Sequence, residues 1–190
     1  MILPVYVYGH PLLRQKSVDI APDYPELANV ISDMFDTMYH TNGVGLAAPQ
    51  VGRSIRLFVV DGKAYEKDEP ELANFRKIFL NARMLEETGE PWGFNEGCLS
   101  VPTIREDIMR KSTIRIAWQD ENFDHHEEVF TGIAARIIQH EYDHLEGVLF
   151  VDKVSNLKKT LLRRRLMDIS KGKAKVDYRI VAPDKNKKRF

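Results

Sequence analysis

From Pro25 to His40 the chain reads Pro-Glu-Leu-Ala-Asn-Val-Ile-Ser-Asp-Met-Phe-Asp-Thr-Met-Tyr-His, and Leu27, Val30, Ile31, Met34 and Met38 recur at three- and four-residue steps. That spacing gathers them on one face of an α-helix, with Pro25 and Glu26 suited to its first turn. Its methionines are read as packing and His40 as a surface residue. A second helical pattern runs from Ile133 to Leu145, with Gly147 where a C-terminal cap belongs, and a third from Asn156 to about Ile169. Between the first two lie short runs rich in β-branched and aromatic residues, Ile55–Val60, Lys77–Leu80 and Lys111–Trp118, the last alternating with period two. Glu127–Phe130, after a turn around Glu121–Asp124, completes a hairpin with it. Met1–Gly9 reads as a first strand or extended arm, and residues 61–74 as a polar surface excursion. Strands with helices at both ends predict the α+β class: mostly antiparallel sheets around a central helix, with an N-terminal and a C-terminal helix.

Length and composition narrow the setting. A chain of 190 residues suits one hydrophobic core. We expect a single catalytic domain over 1–170 and a basic C-terminal tail over 171–190. No apolar run approaches the roughly 18 residues of a membrane span, and the start lacks a secretory signal, so the expected location is the cytoplasm. A lone cysteine, Cys98, excludes an intramolecular disulfide. Net charge is zero but unevenly spread: residues 1–155 carry 15 Lys and Arg against 25 Asp and Glu, while residues 156–190 carry 13 against 3. Clusters such as Lys158-Lys159, Arg163-Arg164-Arg165 and Lys185–Arg189 suit docking on an anionic partner such as ribosomal RNA, through salt-sensitive phosphate contacts. A solvated helix face with a frayed tail explains them equally well.

Candidate chemistry concentrates in the second helix, where Gln139-His-Glu-Tyr-Asp-His144 sets His140 and His144 four residues apart. One helical turn separates them, so both rings can address one ion, and Glu141 stands beside that ion, where it can reach a water activated there. Ile133, Ile137 and His140 form one stripe, so the histidine face is also the apolar face. Buried histidines need partners for both ring nitrogens, and a metal meets that need. A site with three protein ligands and one open position needs a third side chain. Cys98, Glu96, His125 and His126 are available, but the two histidines lie in a polar turn. Cys98, in Asn95-Glu-Gly-Cys-Leu-Ser100 with Gly97 permitting a tight backbone, is the choice, because a thiolate is a strong, soft ligand. Upstream, the glycines and proline of Gly43-Val-Gly-Leu-Ala-Ala-Pro-Gln50 mark a close-fitting segment.

Three stretches, Gly43–Gln50, Glu96–Ser100 and Gln139–Gly147, resemble the three signature motifs of the peptide deformylases, in the same order and at similar separations. The resemblance runs from about Pro11 to about Asp152. It implies removal of the formyl group from the N-terminal formyl-methionine of nascent chains. It implies Cys98, His140 and His144 as metal ligands and Glu141 as general acid and base. It further implies that the side-chain amide of Gln50 and the backbone N–H of Leu99 hold the developing oxyanion. Fe(II) is the implied native ion, with zinc, nickel or cobalt in purified protein; a Cys/His/His set accepts more than one of these.

A narrow space near Gly45 and Gln50 is expected to admit formyl and reject acetyl. Val44, Phe94, Ile133 and Ile137 are candidates for a methionine slot or for ordinary core, and Gly97 belongs to the same lining. Arg105 is placed near the substrate entrance by the resemblance, and Arg136 is a second candidate for the substrate's backbone or entrance, or else a solvated side chain. Glu96 with Arg110 is an expected ion pair supporting the Cys98 loop. Two rivals share parts of the pattern: a zinc endopeptidase, which leaves Gln50 without a role, and an RNA-binding module with a structural metal, for which Glu141 is dispensable.

Overall fold

The computed structural model describes residues 1–183. In chain order the elements are β1 (Val5–Tyr6), α1 (Leu27–His40), β2 (Gly45–Ala47), β3 (Leu57–Asp61), β4 (Arg76–Cys98), β5 (Val101–Gln119), β6 (His125–Thr131), α2 (Gly132–Leu145), α3 (Asn156–Ser170) and β7 (Ile180–Val181). Strands β2-β3-β4-β5-β6 form one sheet, antiparallel at every pairing, and β1 pairs with β7 in parallel. This is the expected α+β arrangement. Among the described residues no helix is long and apolar enough to cross a membrane.

The sheet is covered on both faces, which explains the uninterrupted apolar run of β3. Side chains alternate across a strand. Leu57 and Val59 therefore face α1 and pack with Val30, Met34 and Phe35. Phe58 and Val60 face α2 and pack with Ala134, Ile137 and Ile138. Both helices follow the predicted periodicity. Gly147 (φ 72°) takes the left-handed conformation just beyond α2, as a C-terminal cap requires.

Two features depart from the sequence reading. Strand β4 does not stop at Leu80 but runs 23 residues, and β5 begins ten residues before Lys111, at Val101. Their pairing slips between Leu80 and Arg83, Met84 and Glu86, Thr88 and Pro91, and Gly97 and Cys98, and such irregularities let a long hairpin bend. The 61–74 stretch is more than a surface excursion, because Leu72 is buried in the core and two short 3-10 turns, Lys63–Tyr65 and Pro70–Asn74, compact it.

Of the segment 171–190 set apart as a tail, residues 171–183 turn back onto the body: the Val5 N–H donates to Arg179 O (2.8 Å) and the Val7 N–H to Val181 O (3.0 Å). The basic cluster Lys185–Arg189 lies outside the described residues.

Candidate functional site

Helix α2 enters the site with its N-terminus held from an unexpected direction. Thr131 makes no side-chain cap, and the Glu69 carboxylate instead accepts the Ile133 N–H (2.9 and 3.1 Å). Two turns further, His140 and His144 project together with their ring centroids 5.3 Å apart. Cys98, the last residue of β4, brings its Sγ to 3.3 Å from His144 Nε2. Ligand atoms of Cys98, His140 and His144 all lie within 4.8 Å of one another. For metal–sulfur and metal–nitrogen bonds of about 2.3 and 2.0 Å, a tetrahedral edge is about 3.5 Å, so these atoms fit around one ion.

The donor set is prepared for that role by its neighbours. Glu96 Oε2 stands 2.9 Å from His140 Nδ1, which fixes that nitrogen as the N–H and leaves Nε2 as the ligand. Glu96 is in turn clamped by Arg110 (Nε to Oε1 2.7 Å, Nη2 to Oε2 3.0 Å) and by Arg136 (Nη1 to Oε1 2.9 Å). Arg110 also donates to Asp143 Oδ2 at 2.6 Å, and Lys153 Nζ stands 3.1 Å from the same oxygen, so each buried arginine of the cluster faces a carboxylate. Burial opposes the Glu96 charge, but His140 and Arg110 outweigh it and hold the carboxyl well below the usual range. The expected Glu96–Arg110 pair is therefore present. Arg136 is not solvated: it is 1% exposed, bonded also to Ile108 O (2.9 Å) and Trp92 O (2.6 Å), and its cation lies 4.7 Å from the Trp92 ring centre.

Burial also disfavours a charged His140, yet its interactions with Cys98 and Glu96 more than compensate and raise its pKa. His144 moves the other way, lowered by burial and then by His140 and Arg110, so it stays neutral as a ligand must. Burial pushes the Glu141 carboxyl up to about 7 against the pull of His140. Among the described residues its Oε2 has no hydrogen-bond partner, and its Oε1 lies so close to Gly45 that a Cβ there would stand 2.4 Å away. Gly45 is what leaves room for this carboxylate.

Gln50 is oriented by its own backbone. It sits in a 3-10 turn, Ala48–Val51, and its Oε1 accepts the Ala47 N–H at 2.8 Å. That bond turns the NH2 end toward the site, 3.5 Å from Cys98 Sγ and 3.3 Å from Ser100 Oγ.

Around these groups runs a cleft lined by the anticipated Val44, Gly45, Gln50, Phe94, Gly97, Cys98, Leu99, Arg105, Ile137, His140 and Glu141. Ile133 is outside this lining and is buried in the core one turn before Ile137. Arg105 is exposed at the rim, bonded to Asn95 Oδ1 (2.9 Å) and Asn95 O (2.7 Å). His125 and His126 are on the β6 hairpin, where His126 meets Asp120 at 2.8 Å, outside the metal cluster. His40 is exposed.

The sequence reading passed over Tyr65, which reaches the cleft and packs edge-on to Phe94 (5.9 Å between ring centres), and Ser100, fully buried beside Gln50. Ser100 carried a signal, a polar residue directly after the Cys98 motif; Tyr65 carried none in its polar surroundings.

Residues 2–160 match a family model described as polypeptide deformylase. The chain is 51% identical to the peptide deformylase of Christiangramia forsetii, with the whole of both chains covered. It is 50% identical to that of Flavobacterium johnsoniae over 95% of each chain. The structure of peptide deformylase 1B from Arabidopsis thaliana is similar with a TM-score of 0.79 at 32% identity, covering 90% of this chain and 91% of that one. For the Thermotoga maritima peptide deformylase the TM-score is 0.73 at 39% identity, covering 82% of this chain and 99% of that one.

Proposed function

The chain belongs to the polypeptide deformylase family, metallohydrolases that remove the formyl group from nascent polypeptides, and from that premise we propose the residues that perform the reaction. Cys98, His140 and His144 hold one divalent cation, with Fe(II) as the native ion and zinc, nickel or cobalt as replacements. The observation that carries this reading is the convergence of three ligand atoms within 4.8 Å beside an unpartnered Glu141 oxygen. When bound, the cation supplies a Lewis acid that makes a water acidic near neutral pH and polarises a carbonyl.

The remaining work falls to the chain. An amide carbon is a poor electrophile, so the site must take a proton from water, shelter negative charge on the formyl oxygen, and return a proton to the departing amine. Glu141 Oε2 accepts the proton and later delivers it, and a carboxyl pushed up to about 7 is matched to both duties. The Gln50 Nε2–H and Leu99 N–H hold the oxyanion; single donors of this kind contribute about 3 kcal/mol in comparable acyl-transfer sites. Gly45 and Gln50 limit the acyl group to formyl. Val44, Phe94 and Ile137 line the slot for the methionine side chain, Gly97 its wall, and Ile133 supports it from behind. Arg105 stands at the entrance.

Residues 1–170 form the catalytic domain and 171–190 a C-terminal appendage whose described part packs back on it. The exposed cations of α3, Lys159, Arg163, Arg164 and Arg165, provide a surface for ribosomal RNA, and the protein works in the cytoplasm.

Protein prepared without oxygen is to be assayed for bound metal and for turnover of formyl-Met-Ala-Ser and of an unformylated, internally cleavable peptide. We expect hydrolysis of the formyl amide alone; cleavage of only the internal bond overturns the reading in favour of an endopeptidase. Glu141→Ala should abolish turnover while metal content stays near one ion per chain. Full activity in that variant supports a structural metal instead.

A further inference from the structure

The short turn that follows Cys98 consists of Leu99 and Ser100, and the carbonyls of both accept from segments flanking the β1–β7 ribbon. The Tyr178 hydroxyl donates to Leu99 O at 2.9 Å, and the Tyr8 N–H donates to Ser100 O at 2.7 Å. Tyr178 is brought there by β7, whose Ile180 and Val181 lie opposite Val5 and Tyr6 of β1. The same β1 braces the turn that carries Gln50, because a Cβ on Gly52 would stand 2.6 Å from the Tyr6 ring. One two-stranded ribbon thus abuts both segments that hold the proposed oxyanion donors. Residue 178 lies beyond the 2–160 span matched to the family.

We infer that Tyr178 is a positioning residue for the oxyanion donor: its hydroxyl anchors the Leu99 carbonyl and so restrains, through the Leu99 Cα, the preceding peptide that carries the Leu99 N–H. This inference rests on the proposed role of the Leu99 N–H. A donor is useful only if it points to where the oxyanion forms, and a carbonyl anchored on the next peptide narrows the backbone motion that would swing it away. Burial, helped by Cys98 and Asp177, raises the Tyr178 pKa, so the hydroxyl keeps its proton and remains a donor throughout the working range. Gly43 completes the seat, since the Leu99 side chain packs where a Cβ on that glycine would meet it at 3.3 Å.

The test uses full-length, metal-loaded protein carrying Tyr178→Phe, which keeps the ring and removes only the hydroxyl. The expected result is a kcat about tenfold lower, roughly one hydrogen bond's worth of lost positioning, with KM, metal content and thermal midpoint close to the parent. In the zinc-loaded form, the backbone amide resonances of Leu99 and Ser100 should shift. Parental kcat in Tyr178→Phe, or full recovery of kcat on adding metal, overturns the inference. A companion protein with leucic acid at position 99, in which an ester oxygen replaces the Leu99 N–H, tests the underlying reading alone. It should lose about a hundredfold or more in kcat. If the ester protein is fully active, the oxyanion role fails and the inference with it; if it is impaired but Tyr178→Phe is not, only the Tyr178 inference fails.

Discussion

Glu96 shows how much of the site a single side chain can organise. It is 4% exposed and bound by His140, Arg110 and Arg136, so removing it strands two buried cations. Glu96→Ala should therefore lower unfolding free energy by about 3–5 kcal/mol, read from urea titrations. The same carboxyl sets an acid limit. Its folded pKa lies well below the unfolded value of about 4.3, so its stabilisation is complete above that pH and drains away as pH falls further, when the unfolded state takes up the proton first. Midpoints measured from about pH 6 to about pH 3 should fall steeply in the parent and less steeply in Glu96→Gln. Gly45 makes the opposite point, acting through what it lacks. In Gly45→Ala the Glu141 carboxylate must move by about an ångström, and kcat should drop about a hundredfold with metal content unchanged. Wild-type kcat in that variant would show that the carboxylate has freedom the packing does not suggest.

Among the elements, α2 depends on a residue far outside it. Glu69 caps the Ile133 N–H from the 61–74 segment, where a negative charge also suits the helix N-terminus. Glu69→Ala should cost about 1 kcal/mol in unfolding free energy, with earlier amide exchange in the first turn of α2. Helices α1 and α2, and the placing of His140 and His144 on one face of α2, were legible in the sequence because helical periodicity and motif spacing are local. The outer half of the β4–β5 hairpin was not: residues 85–91 are exposed, Gly89 and Pro91 interrupt them, and each strand is stabilised chiefly by the other. Which reading held for Arg136, cleft or solvent, was illegible for a related reason. Its partners Glu96, Ile108 and Trp92 lie 28 to 44 positions away, and nothing beside it in sequence announces a buried cation.

At the scale of the whole molecule, α3 buries Leu162, Leu166 and Ile169 and exposes Lys159, Arg163, Arg164 and Arg165. Leu157 and Leu161 are 72% exposed on the same helix. Replacing Lys159, Arg163 and Arg164 with Glu should weaken co-sedimentation with ribosomes and flatten its decline with salt, while turnover of a short formyl peptide is unchanged. Binding that ignores both salt and these substitutions would exclude an RNA contact there. The β1–β7 pairing was illegible because two residues per strand carry no period, and its partners stand 175 positions apart. That separation sets an order of events. Ile180 and Val181 are made 175 positions after Val5 and Tyr6, so β1 must wait unpaired while the fold between them is synthesised. An enzyme that acts on emerging chains thus leaves its own β1 open until β7 arrives.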